Sequence, residues 1–154
     1  MARYAERTTV TTDKSRTDIE RDLMRYGATG FMYGWQGDRA VVGFVMRNRH
    51  IKFILPMPSR ADYTKTPTGR VRSQNQVSTE LDQAVRQRWR ALALIIKAKL
   101  EAVESGIVEF EEEFLAHIVL PDGSRVGDHM LPQIEASYGS GQMPPLLPDY
   151  TNGA

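Results

Sequence analysis

The stretch STELDQAVRQRWRALALIIKAKLEAVESG, from Ser78 to Gly106, decides the fold. Leu81, Val85, Trp89, Leu92, Ile96, Leu100 and Val103 recur at steps of four, four, three, four, four and three. That spacing predicts an amphipathic helix over 79–104 with one continuous apolar stripe. Ser78 and Thr79 are candidate N-caps, Asp82 follows Thr79 by three, and Ser105-Gly106 supplies the stop. From Arg86 to Lys99 the segment holds five basic residues and no acid, with Arg86, Arg90 and Lys97 along one side. One helix therefore anchors a core and presents cations.

N-terminal to this helix the period changes from helical to two. Phe31, Tyr33 and Trp35 alternate with smaller or polar residues over 30–36, and Gln36-Gly37-Asp38-Arg39 reads as a turn. Residues 39–47 and 50–55 read as two more strands, joined by the polar connection Arg47-Asn48-Arg49-His50 and closed by Pro56 and Pro58. Three adjacent strands with short links predict an antiparallel meander. Before it, Ile19, Leu23 and Tyr26 mark a helix over 15–26, capped by Ser15 or Thr17 and ended by Gly27. Residues 4–11 (YAERTTVT) read as a short strand or an ordered arm.

Between the meander and the long helix, residues 57–77 show two prolines, four basic residues, one acid and no clear period. A loop of this length is commonly functional or disordered. C-terminal to Gly106, Ile107, Phe110, Phe114 and Ile118 keep helical spacing beside Glu109, Glu111, Glu112 and Glu113. Pro121-Asp122-Gly123 is a turn, and Asp128 is placed to cap a last helix carrying Leu131, Ile134 and Tyr138, with Pro132 in its first turn. The expected architecture is α+β: helix, three-stranded antiparallel meander, long amphipathic helix packed on the sheet, then C-terminal helices. Residues 1–138 form the single domain, and 139–154 an extended Gly/Pro-rich tail or an arm docking Leu146-Leu147 on a neighbour.

The net charge of +1 conceals a split: residues 1–100 contain 19 Lys+Arg against 9 Asp+Glu, and 101–154 contain 1 against 10. Such asymmetry predicts either a basic surface for a polyanion or two halves that face each other, within one molecule or between subunits. The absence of cysteine excludes a disulfide framework and a thiolate metal site. The charged N-terminus is unlike a signal peptide, and the run Ala91–Ile96 is too short to cross a bilayer. These features predict a cytoplasmic protein without membrane contact.

The chemistry-bearing residues are mostly cations. Arg39, Arg47, Arg49, Lys52, Lys65, Arg70 and Arg72, with Arg86, Arg90 and Lys97 of the helix, form the candidate nucleic-acid-binding set, and Trp35 and Tyr63 are its candidate base-stacking aromatics. Phe44 and Phe53 read as core. No phosphate-binding glycine loop, dinucleotide fingerprint or zinc-finger spacing is present, so no cofactor is expected. Glu113 and His117, four apart on an expected helix with Asp128 and His129 close in sequence, are the one candidate metal or acid–base cluster. A glutamate-rich helix face is more often simply solvated, and no enzyme is expected.

The block RQRWRALALIIKAKLEAVESGIVEFEEEFLAHIVLPDGSRV, with IKFILPMP before it and MPPLLP after it, resembles a recurrent small protein of bacteriophage and prophage genomes. The resemblance implies a phage-encoded protein in the cytoplasm of a bacterial host, acting in replication, recombination, regulation or interference with the host. In order of elements the chain is also similar to the core of Rad52-type single-strand annealing proteins, which form rings, and to double-stranded-RNA-binding domains. The expected function is binding of nucleic acid, single-stranded DNA or RNA, by a homo-oligomer. The alternative is a protein-interaction module that engages a host protein through the acidic half.

Overall fold

The computed structural model describes residues 2–143, with side chains from residue 12 onward. Its elements in chain order are α1 (Ala2–Arg25), β1 (Gly30–Gln36), β2 (Arg39–Met46), β3 (Arg49–Pro56), α2 (Gln74–Glu104), α3 (Phe110–Glu113) and α4 (Val126–Ser140). The three strands form one antiparallel sheet in the order β1-β2-β3, as their spacing predicts. The chain is α+β.

Strand alternation decides which side chains enter the core. Phe31 and Tyr33 of β1, Ala40, Val42, Phe44 and Met46 of β2, and Ile51, Phe53 and Leu55 of β3 share one face. Against that face lie Ile19 and Leu23 of α1 and Trp89, Leu92, Ile96 and Leu100 of α2, all in one apolar cluster. Val85 and Val103 flank it half-buried, so the stripe on α2 packs on the meander as its spacing requires. Each large side chain so buried contributes about 1.5–3 kcal/mol of transfer free energy.

Two hairpins set the register. Met46 pairs with Arg49, leaving a two-residue link in which Arg47 has φ 50 and Asn48 φ 62. Positive φ at both positions is the turn whose twist matches the flanking strands. Gln36 pairs with Arg39, and Gly37 takes φ 64 in that link.

Several expectations are corrected. Residues 4–11 are neither strand nor arm: α1 is continuous from Ala2, and Thr17 lies inside it, its hydroxyl donating to the Asp13 carbonyl. A β-branched run such as Thr8-Thr9-Val10-Thr11-Thr12 has low helix propensity, and the continuing helix overrides it. The long helix begins at Gln74, not 79. Its cap is Ser73, whose Oγ accepts from Gln76 N–H while Gln76 Oε1 accepts from Ser73 N–H. That extra turn buries Val77.

The 57–77 segment is folded. A 3-10 turn spans Arg60–Tyr63, and an isolated bridge joins Lys65 to Val71. Asp62 Oδ2 accepts from Ser59 N–H, and the Ser59 backbone and side chain together hold the Asp62 carboxyl below its usual range.

The helix expected over 107–118 is one turn, α3, followed by a 3-10 turn at Leu115–His117. Phe110 and Phe114 are both buried, and the chain then leaves helical geometry to bridge Ile118 to Ile51 of β3. Asp128 is not the cap of α4 but sits three residues after the cap Arg125, its Oδ2 accepting from Arg125 N–H at 2.9 Å. Pro132 accordingly falls in the second turn of α4, where it removes a backbone donor. The helix runs to Ser140, past the expected boundary at 138, and the Leu146-Leu147 arm lies outside the described residues.

Candidate nucleic-acid interface

The twelve candidate residues do not converge on one surface. Ten of them fall into three groups that differ in what already occupies their polar atoms, and Trp35 and Arg39 stand apart at the rim of the sheet.

The first group lies at the end of the sheet where β2 turns into β3. Arg47 is placed over the Phe110 ring, 5.5 Å from its centroid. Arg49 pairs with Glu111 at 3.1 Å, and Lys52 Nζ donates to the Gly123 carbonyl at 3.1 Å. On α2, Lys99 Nζ pairs with Glu113 Oε1 at 2.9 Å. The cations of the first half therefore meet the acidic second half within one molecule at this end. Arg49 and Lys99 are thus ion-paired, Lys52 is hydrogen-bonded and Arg47 rests on a ring face, which lowers what this end offers to an external phosphate.

The second group is the folded loop before α2. Arg72 Nη1 donates to the carbonyls of Tyr63 (3.2 Å) and Lys65 (3.3 Å), and Arg60 donates to Ser78 Oγ, Gln74 Oε1 and the Gln74 carbonyl. These guanidiniums spend their donors on closing the loop against the helix N-terminus. Tyr63 is half-buried there. Lys65 and Arg70 are exposed, and Arg70 lines a groove of about 370 Å³ with Thr66, Asn75 and Thr79.

The third group lies between α1 and α2. A groove of about 580 Å³ is lined by Lys14, Ser15 and Asp18 from α1 and by Gln83, Arg86, Gln87, Arg90, Ala93 and Leu94 from α2. Gln83, Arg86, Gln87, Arg90, Leu94 and Lys97 recur at helical spacing, so a single face of α2 supplies this wall and continues to Lys97. Among the described residues, none of Lys14, Arg86, Arg90 and Lys97 takes part in an ion pair. The one acid in the lining, Asp18, is held by Arg21 at 2.8 Å. Lys14 was not among the candidate residues: only the packing of α1 against α2 brings it opposite Arg86 and Arg90. Its seven-residue offset from Arg21 along a continuous α1 is the signal that recognition of the full helix would have exposed.

The aromatics point mostly inward. Phe44 and Phe53 are buried, as expected of core residues, and Tyr33 lies between Trp89 (5.4 Å), Trp35 (6.5 Å) and the guanidinium of Arg16 (4.2 Å). The opposite face of the sheet carries Met32, Val41, Gly43, Val45, His50 and Lys52 and no Phe, Tyr or Trp. Trp35 is 59% exposed at the rim, whereas Phe31 and Tyr33 are half-buried. Arg39 is exposed at the same end of the sheet, paired with Gln36 and Pro56.

The pair read as a metal or acid–base cluster is separated by the break in the helix. Glu113 is bound to Lys99, while His117 stacks on Phe53 with ring centroids 4.0 Å apart. Burial, with Arg125 and Lys99 nearby, lowers the His117 pKa to about 4. Among the described residues no group of three His, Asp or Glu is placed to hold a metal ion.

Sequence reasoning missed Ser124, whose Oγ lies 2.6 Å from His129 Nε2 and donates to Asp122 Oδ1. Nucleophilic activation requires the hydroxyl to donate to the imidazole, with the carboxylate behind the ring. Here the hydroxyl donates to the carboxylate, an arrangement that fixes the 121–124 turn. Among the described residues, no helix is long and apolar enough to cross a membrane. No protein-family model, curated protein or solved structure matches this chain.

Proposed function

We propose that this chain binds the sugar–phosphate backbone of single-stranded nucleic acid along the groove between α1 and α2. The observation that carries the reading is the convergence of Lys14, Arg86 and Arg90 on one groove without an ion-pair partner among the described residues. Unpaired cations beside a concave surface raise the local concentration of a polyanion, and binding releases its condensed counterions. The side-chain amides of Gln83 and Gln87 add neutral donors for phosphate oxygens, and exposed Leu94 offers apolar contact to an unstacked base. A groove of about 580 Å³ between two helices admits one strand's backbone, whereas a duplex meets only its rim.

In this reading the sheet serves as scaffold, because its aromatic rings are turned inward. Replication or recombination on single strands, in a phage-infected cell, is the setting that the resemblances add. The competing idea of an acidic surface for a host protein draws less support, since Glu111 and Glu113 already pair with Arg49 and Lys99.

The test is fluorescence anisotropy of a labelled unstructured oligonucleotide over a series of salt concentrations. The reading predicts binding at low salt, with log K falling against log salt at a slope of about −2, roughly 0.7 for each of three cations engaged. Undetectable binding at low salt contradicts it.

A further inference from the structure

The two edges of the sheet are treated differently. Beside β3, Ile118 bridges to Ile51 and Val119 N–H donates to the His50 carbonyl at 2.8 Å, so the segment leading to α4 covers that edge. Along β1, no described backbone group hydrogen-bonds to the edge facing away from β2. Exposed edges are normally protected by a charge, a proline, a bulge or a covering element. The seven residues of β1, GFMYGWQ, include no charge and no proline.

We infer that β1 is the self-association edge of this protein, pairing antiparallel with β1 of a second copy about a two-fold axis near Tyr33. The second copy fits because the strand is complementary to itself in that register. Met32 of one copy falls opposite Gly34 of the other, and Phe31 opposite Trp35. A large residue over a glycine is already the packing on the other side of the strand. There Met32 pairs with Gly43, and its Cε lies 3.7 Å from the point where a Gly43 Cβ would stand. At Gly34 a Cβ would meet nothing within 4 Å, which leaves room for the incoming methionine. Met32 and Trp35 are 64% and 59% exposed, and these are the two side chains that gain partners.

Charge agrees with this arrangement. The strand itself is neutral, so no like charges meet across the axis. Exposed Asp38 follows β1 by two residues and exposed Arg25 ends α1 five residues before it, so antiparallel pairing brings the Asp38 turn of one copy towards the α1–β1 link of the other. An isologous pairing uses up the edge on both copies, so the assembly closes at two. Because α1 lies above β1, with Arg16 over the Tyr33 ring, the two α1 helices become neighbours in one helical layer.

The test is sedimentation velocity of the full chain over a wide concentration range. A reversible monomer–dimer equilibrium is expected. Gly34→Lys puts a long cation against Met32 of the other copy and should weaken the dimer at least about tenfold, which is 1.4 kcal/mol. Circular dichroism and urea unfolding of this variant should match the parent, because Gly34 has open space around it. Tyr138→Lys, on the exposed side of α4, should leave dimerisation unchanged. A strictly monomeric parent, a larger closed ring, an undiminished Gly34→Lys dimer, or a dimer broken by Tyr138→Lys each overturns the inference.

Discussion

Lys99 Nζ lies 2.9 Å from Glu113 Oε1 and also donates to the Glu113 carbonyl at 3.2 Å, tying the last cation of the basic half to the acidic half within one molecule. Both side chains are largely shielded from solvent, and the ammonium sits 5.8 Å from the Phe114 ring centroid. One pair thus fixes the helix α2, the one-turn helix α3 and a buried phenylalanine relative to one another. Removing one partner leaves a half-buried charge unmatched. Lys99→Ala is expected to cost about 1–3 kcal/mol in urea denaturation. A Lys99→Ala/Glu113→Gln double-mutant cycle should return a coupling of about 1 kcal/mol.

His117 makes stability depend on pH in a defined direction. Its folded pKa of about 4 lies below the ordinary 6.5, because burial and the nearby Arg125 and Lys99 oppose the imidazolium. Between these values the unfolded chain holds a proton that the folded chain does not. The contribution is therefore fully present above about pH 6.5 and is lost as pH falls towards 4. Partial solvent contact limits the loss to about 1–3 kcal/mol. Denaturation midpoints of the parent should fall over this window, and His117→Gln should flatten that part of the profile. Equal slopes in both proteins would remove His117 as the cause.

Gly127 shows where the C-terminal segment tolerates no side chain. A Cβ there would stand 2.9 Å from the Ala116 carbonyl oxygen and 3.3 Å from the Ala116 Cβ, both on the short 3-10 turn that α4 packs against. Gly127→Ala raises intrinsic helix propensity, yet the clash is with backbone that has no freedom to yield. The substitution is expected to destabilise by about 1–3 kcal/mol, read by thermal or urea unfolding. At exposed Gly139, where a Cβ meets nothing within 4 Å, the same change should stabilise by up to about 1 kcal/mol.

What the sequence discloses and what it hides follow one physical line. The meander and the stripe from Val85 to Val103 were legible because a single buried face imposes one period over many residues, while Leu81, expected to begin that stripe, is half-buried outside the cluster. The segments misread are those where tertiary contacts override local pattern. Phe110, Phe114 and Ile118 keep helical spacing, but Ile118 satisfies its backbone better against β3 than in a second turn of helix. Ser73, rather than Ser78 or Thr79, caps α2 because the extra turn buries Val77, a contact that exists only in the folded protein. At the candidate site, Arg86 and Arg90 were legible from composition on one helix face. That they form no ion pair among the described residues was not, since it depends on Asp18 pairing with Arg21 and on which end of the molecule Glu111 and Glu113 reach. Lys14 was hidden behind the threonine run that masks the N-terminal half of α1.

The most direct measurement is the effect of charge reversal on oligonucleotide affinity at two places. Arg86→Glu/Arg90→Glu alters the groove between α1 and α2. Arg47→Glu/Arg49→Glu alters cations that the chain already engages with Phe110 and Glu111. Both pairs are exposed or half-buried, so circular dichroism can verify that the fold persists. Affinity at low salt should fall at least about a hundredfold for the first pair, with the salt slope reduced by about 1.4. For the second pair it should change by less than about threefold. Equal losses at both sites, or a larger loss at Arg47 and Arg49, would contradict the assignment of the groove as the nucleic-acid interface.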